Sequence, residues 1–226
     1  MSYSETIRTM HGGTVDAPFR PQGVVRGKKV IATNPDTSQP CPDDKVNRLF
    51  TADRPNQLWV SDFTYVPTWS GTVYVAFVID VFAHQIVGWR VSTSMATQFV
   101  LDALEQAIWQ IKTPDNKVFI HHSNRRSQYL SIKYTERLIE VGINPSVGTV
   151  GNSYDNALAE CVIGLFKTEV TNQISPWKSM REVEWETLKW VDWYHNRRLL
   201  GPIGYITPVE AEKAFFANLN TLDMDA

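Results

Sequence analysis

Several absences narrow the class of this chain. No apolar run approaches the ~20 residues that a bilayer-spanning helix needs. The start, Met1-Ser2-Tyr3-Ser4-Glu5, has no basic segment leading into an apolar core, so neither a membrane span nor a secretory leader is read from it. Cysteine is scarce: Cys41 and Cys161 make no disulfide framework and no paired zinc spacing, which leaves a reduced cytoplasmic protein as the plain reading. Basic charge is not in excess either. A formal net charge of −2 and a sequence pI near 6.2 argue against a generally basic nucleic-acid binder, while a local basic face stays open. Repeats and low-complexity tracts are missing. What is there is 226 residues, 43% of them hydrophobic, enough for one sizeable core with or without appendages.

Residues 1–54 are punctuated by Gly12-Gly13, Pro18, Pro21, Pro35, Pro40 and Pro42 and show no sustained periodicity, so an irregular arm is expected. Its basic cluster, Arg26-Gly27-Lys28-Lys29, could touch phosphates, although such a cluster in an irregular arm is more often simply solvated. From Leu58 the pattern sharpens. Residues 58–66, 73–79 and 86–91 are rich in strand formers and lie close together, which suggests an antiparallel meander. Val100, Leu104, Ala107, Ile108 and Ile111 recur at helical spacing over residues 97–112. A strand at Val118-Phe119-Ile120, a helix over 132–141 closed by Gly142, and a strand over 143–147 follow. Beyond a glycine-bearing loop at 148–153, residues 154–170 read as a helix with Leu158, Cys161, Val162 and Leu165 on its apolar face. Ser179-Met180-Arg181-Glu182 and Thr207-Pro208-Val209-Glu210 are capping boxes opening two further helices. The expected fold is α/β: three strands, helix, strand, helix, strand, then a helical C-terminal extension.

Asp62 interrupts an otherwise apolar strand, where a carboxylate is costly unless paired or metal-bound. A hydrogen-bonded structural role is the alternative. The polar stretch from His121 to Ser127 is expected to emerge at a strand's carboxyl end, where open α/β sheets place their chemistry. Asn156, Glu160 and Lys167 share one helical face, a pattern that is commonplace on its own. Adjacent strand residues point to opposite faces, so His121 and His122 cannot chelate one ion well. Asp80 reads as a turn residue, Asp155 as support for a helix start through the dipole, Cys161 as core, and the eight tryptophans as mostly core.

Asp62, Asn124 and Glu160, the last two separated by 35 residues, together with this strand order resemble the ribonuclease-H-like catalytic core of DDE transposases and retroviral integrases. The match extends to motifs. Asn56-Gln57-Leu58-Trp59-Val60-Ser61-Asp62-Phe63-Thr64-Tyr65 is similar to the first catalytic motif of insertion-sequence transposases of the OrfB type. His121-His122-Ser123-Asn124-Arg125 with Ser127-Gln128-Tyr129 is similar to the second, and Asn152-Ser153-Tyr154-Asp155-Asn156-Ala157 through Glu160 and Lys167 to the third. Tyr194-His195-Asn196-Arg197-Arg198 and Tyr205-Ile206-Thr207-Pro208 match the family's tail.

The resemblance implies a mixed five-stranded sheet flanked by helices, with an arm over 1–54, an integrase core over 55–172 and a helical extension over 173–226. It implies DNA cleavage and strand transfer at mobile-element ends, with terminal repeats and target DNA as partners and a homo-oligomer formed on DNA. Mg²⁺ or Mn²⁺ would be held by Asp62, bridging two ions, and by position 124 and Glu160, one each; such hard ions suit oxygen ligands. One ion would activate water or a 3′-OH and the other would stabilise the leaving oxygen. Lys167, Arg125 and Asn156 would contact DNA.

The chain departs from the family pattern in two motif positions. Asn124 stands where the family has Asp, so one of three charges is lost; a deficit of even ~4 kcal/mol slows chemistry ~10³-fold. Arg126 replaces a small glycine and is expected to strain the turn or crowd the cleft. Residues 1–20 do not match, and the helix-turn-helix segment expected upstream is missing from the sequence, so the amino end reads as truncated. The expectation is a transposase core with weak or dead cleavage. The alternative is a non-catalytic DNA-binding or transposase-binding remnant. An engineered Asp→Asn change would explain Asn124 but not Arg126.

Overall fold

A computed structural model describes residues 42–47, 49–111, 118–148 and 156–224. Strands β1 (Leu58–Thr68), β2 (Gly71–Asp80) and β3 (Ile86–Ser92) form the antiparallel meander, and β4 (Ile120–Ser123) and β5 (Asn144–Val147) extend it with parallel pairings. The sheet order is β3-β2-β1-β4-β5, so β1 is central. Helix α1 (Thr97–Trp109) crosses from β3 to β4, and α2 (Ile132–Glu140), closed by Gly142 at φ +76°, crosses from β4 to β5. The arm cluster at 26–29, Cys41, the loop at 149–153 and Asp155 lie outside the described residues. The part of the arm that is described is irregular yet docked. Val46 is buried, and the Lys45 amide donates to Ser146 Oγ at 2.9 Å.

Alternation along β1 builds two cores. Trp59 and Phe63 pack with α1, Tyr134 and Leu138, while Leu58, Val60 and Val66 pack on the other face. There they meet Ala159, Val162, Ile163 and Phe166 of α3 (Ala157–Phe166) and Val183, Trp190, Val191 and Tyr194 of α5 (Met180–Asn196). The C-terminal extension therefore shares the central core. His195 ties it to the sheet by accepting the Ile86 amide at Nε2, 3.0 Å, and burial keeps that imidazole neutral with its pKa lowered to about 4. Helix α6 (Pro208–Met224) opens with the expected box. The Thr207 amide donates to Glu210 at 2.8 Å, and the Glu210 amide donates back to Thr207 Oγ1 at 3.3 Å.

Four details differ from expectation. Strand β4 spans Ile120–Ser123 rather than 118–120, so His121, His122 and Ser123 lie inside it and are buried. Buried hydroxyls make this tolerable: His121 Nε2 meets Ser61 Oγ at 2.7 Å and Tyr134 OH at 3.1 Å on one face, and His122 Nδ1 meets Ser146 Oγ at 2.9 Å on the other. Cys161 is exposed, because α3 turns Ala159, Val162, Ile163 and Phe166 inward instead. Ser179 makes no capping bond; Glu182 instead accepts the Lys178 amide at 2.7 Å. Four tryptophans, Trp69, Trp109, Trp185 and Trp193, are exposed.

Helix α1 approaches β3 so closely that a Cβ on Gly88 would lie 2.1 Å from the Ala103 carbonyl oxygen and 3.0 Å from Ala107 Cβ. Backbone cannot yield there without shifting the helix. Gly88→Ala is expected to destabilise the fold by about 2–3 kcal/mol in urea unfolding, at the upper end for overpacking.

Candidate active site

The parallel ladder between β1 and β4 ends at the Ser61–Ser123 pairing. Beyond it β1 continues alongside β2, with Asp62 opposite Phe77, while the chain after β4 turns away. The next residue on each side is a candidate: Asp62 and Asn124. The divergence of the two strands opens a crevice at the carboxyl end of β4, the position where open α/β sheets bind ligands. Asp62 is 5% exposed.

Helix α3 is fastened to the same point. Asn156, buried just before its first residue, donates from Nδ2 to the Ser61 carbonyl at 2.9 Å. Glu160, one turn further, then faces Asp62 across an open cleft of about 280 Å³ lined by Asp62, Phe63, Tyr65, Arg126, Glu160 and Lys167 among others. Phe166 ends the α-helical hydrogen bonding, and a π-helical turn, Lys167–Thr171, follows before the short helix α4 (Asn172–Ile174). Lys167 Nζ lies 5.8 Å from the Tyr65 ring centroid, at the cleft wall. Arg125 is exposed and Asn156 is turned inward. Asn156 therefore positions α3 rather than lining the open surface.

Two hydrogen-bond donors and one ion-pair partner converge on Asp62 Oδ1. They are the Phe63 amide at 2.7 Å, Asn124 Nδ2 at 2.7 Å and Arg126 Nε at 3.5 Å. Burial pushes the Asp62 carboxyl above the usual carboxylate range, opposed first by the Arg126 charge and then by the Phe63 and Asn124 hydrogen bonds. Glu160 is raised by its own partial desolvation and by the charge of Asp62. Arg126 itself stacks over Phe63, its Cζ 4.4 Å from the ring centroid. Its φ is not left-handed, so of the two expected consequences of losing glycine, it is the cleft that is affected and not the turn. The Arg126–Asp62 pair was not foreseen from the sequence; the available signal was a basic side chain two residues after a candidate ligand.

Asp80, at the end of β2, is a buried turn carboxylate. It accepts the Asn56 amide at 2.8 Å and the Ala83 amide at 3.0 Å, and burial raises its pKa to about 6.

Residues 52–153 match the family described as Integrase core domain, and residues 141–208 match a second family of the same description. The transposase for insertion sequence element IS629 of Shigella sonnei is 56% identical over 204 residues, covering 90% of this chain and 67% of that protein. The transposase for insertion sequence element IS3411 of Escherichia coli is 59% identical over 98 residues, 43% of this chain and 40% of that protein. Among solved structures, the HTLV-2 integrase catalytic core domain in complex with magnesium superposes with a TM-score of 0.57 at 15% identity, over 72% of this chain and 99% of that one. Fold and cleft define an integrase catalytic core of the ribonuclease-H-like class. The chain belongs to the insertion-sequence transposases, proteins of DNA transposition and recombination.

A divalent metal is what this family suggests. Among the described residues no group of three or more His, Cys, Asp or Glu side chains is placed to hold a metal ion. Position 124 offers an amide N–H₂ to Asp62 instead of a third set of carboxylate oxygens, and a guanidinium occupies the same oxygen. As they stand, these side chains do not fit a pair of dications. No helix among the described residues is long and apolar enough to cross a membrane.

His121 gives this region its acid response. Burial lowers its pKa to about 3, so between pH 6.5 and 3 the unfolded chain binds a proton that the folded chain refuses. Stability from His121 is therefore present at neutral pH and lost on acidification, on the order of 3 kcal/mol by pH 4. Asp80, raised instead of lowered, acts in the opposite sense between pH 6 and 4. His121→Gln is expected to shrink the loss of unfolding free energy between pH 7 and pH 4 by that amount, measured by urea denaturation at both pH values.

Proposed function

We propose that this chain is the catalytic-core portion of an insertion-sequence transposase whose DNA cleavage and strand transfer are severely slowed by Asn124. Asp62, Asn124 and Glu160 are the reaction-centre positions, and Lys167 and Arg125 contact DNA from the cleft wall and its rim. The partners are element terminal repeats and target DNA, engaged by a homo-oligomer in the cytoplasm. The observation that carries the reading is the 2.7 Å bond from Asn124 Nδ2 to Asp62 Oδ1. A residue that should accept or ligate is a donor, and it consumes one face of its neighbour's carboxylate. Mg²⁺ or Mn²⁺ is the cofactor class that an acid at 124 would again suit. The ion pair between Arg126 and Asp62 favours a second reading, a DNA-binding or transposase-binding remnant without chemistry.

Strand cleavage of terminal-repeat DNA with Mn²⁺ separates the two. The chain as it stands is expected to cleave at least ~10³-fold more slowly than Asn124→Asp combined with Arg126→Gly, matching a barrier difference of ~4 kcal/mol. Robust cleavage by the unaltered chain overturns the slowed-enzyme reading. A folded double variant that still fails to cleave favours the remnant.

A further inference from the structure

We propose that Arg126 is the resident cation of this cleft: its guanidinium takes the place at Asp62 that a divalent ion would need, and it controls metal entry more than Asn124 does. The inference rests on the reading of the cleft as an integrase-type reaction centre.

The guanidinium is held in place from three sides. The turn that carries it is fixed by the Arg126 amide donating to the Asn124 carbonyl at 2.8 Å, and by the Tyr129 and Leu130 amides donating to the Arg126 carbonyl at 3.0 and 3.2 Å. From that turn the side chain runs over the buried Phe63 ring, which supplies a flat apolar and cation-attracting floor. Its end reaches Asp62 Oδ1 at 3.5 Å, alongside Asn124 Nδ2 on the same oxygen. Arg suits this role because its charge is permanent and its planar head stacks.

Charge balance points the same way. The cleft holds two acids, Asp62 and Glu160, and two bases, Arg126 and Lys167. A buried carboxylate needs compensation, and here the chain provides it internally. With aspartate at 124 and no side chain at 126, the cleft would instead hold three acids against Lys167 and would draw in external cations. A dication entering the cleft as it stands must displace Arg126 from Asp62 while gaining little attraction from a neutral pocket. Restoring the acid at 124 alone gives the guanidinium a second carboxylate to pair with, and leaves it in the way.

The test is calorimetric and paramagnetic titration of Mn²⁺ into the protein without DNA, with circular dichroism to verify folding. Arg126→Gly is expected to bind Mn²⁺ at least ten-fold more tightly than the unaltered chain. Arg126→Gln should behave likewise and carries the test if the glycine variant is unfolded. Arg126→Lys, which keeps the charge, should gain less than three-fold, and so should Asn124→Asp with Arg126 retained. Adding Asp62→Asn to Arg126→Gly should abolish the gain. The proposal is overturned if removing the Arg126 charge leaves Mn²⁺ affinity unchanged, or if Asn124→Asp alone binds as tightly as Asn124→Asp with Arg126→Gly. Metal binding gained on Arg126→Gly with no cleavage recovered by the double reversion would leave this inference standing and remove the slowed-enzyme reading.

Discussion

A carboxylate on the central strand of a five-stranded sheet, almost wholly withdrawn from water, is the constraint around which this structure is arranged. Asp62 sits where β1 and β4 part company, just past the last rung of their parallel ladder. Leaving such a group ionised without partners costs several kcal/mol in apolar surroundings. The fold answers with a backbone amide, a side-chain amide and a guanidinium, all directed at one oxygen. Each answer comes from a different layer of organisation: the strand itself, the crossover after β4, and a turn supported by helix-like hydrogen bonds.

The surroundings hold that point rigid. On one face His121 is locked between Ser61 and Tyr134, and on the other His122 is paired with Ser146, so β4 is pinned to β1, α2 and β5 by polar bonds inside an apolar sandwich. Such buried polar contacts are costly if incomplete and specifying if satisfied. Asn156 adds a third fixing by holding α3 to the Ser61 carbonyl. The π-helical turn after Phe166 then connects the cleft to the C-terminal extension. Glu169, within that turn, accepts the Trp190 indole N–H at 2.9 Å and pairs with Arg198, which itself lies over Trp193. The residues behind Lys167 are thus anchored to α5 and the segment after it, which explains why the tail contributes to the core instead of hanging from it.

Much of this was legible in the amino-acid sequence, for reasons that differ between elements. The strands announce themselves through runs such as Leu58–Val66, and Asp62 stands out because it is the one charge in such a run. The order of strands and helices follows from switching periodicity; Asp62 and Glu160 line one cleft, and Asn124 is hydrogen-bonded to Asp62. Less legible were features set by neighbours. The extra length of β4 depends on Ser61, Tyr134 and Ser146, hydroxyls distant in sequence that make two buried imidazoles acceptable. The rotation that exposes Cys161 is fixed by how Phe166 packs on Phe77 and Trp190, which helical spacing alone cannot reveal. Asn156 shares a face with Glu160 in projection, yet its position before the first turn of α3 bends it toward the sheet.

The substitutions at 124 and 126 make physical sense as a pair. An amide beside a carboxylate must point its N–H₂ toward it, because the reverse orientation would set two acceptors against each other. The side-chain oxygen Asn124 Oδ1 is then left buried with no hydrogen-bond partner among the described residues, a cost of about 1–3 kcal/mol. Aspartate at 124 with arginine at 126 would retain a carboxylate pair bridged by one guanidinium. Asparagine with glycine would leave Asp62 with only two neutral donors. Asparagine and arginine together supply both a hydrogen bond and a charge to the same oxygen, so the cleft is compensated from within. The carboxylate just past the end of the β1–β4 ladder is thus balanced by groups that the chain itself supplies.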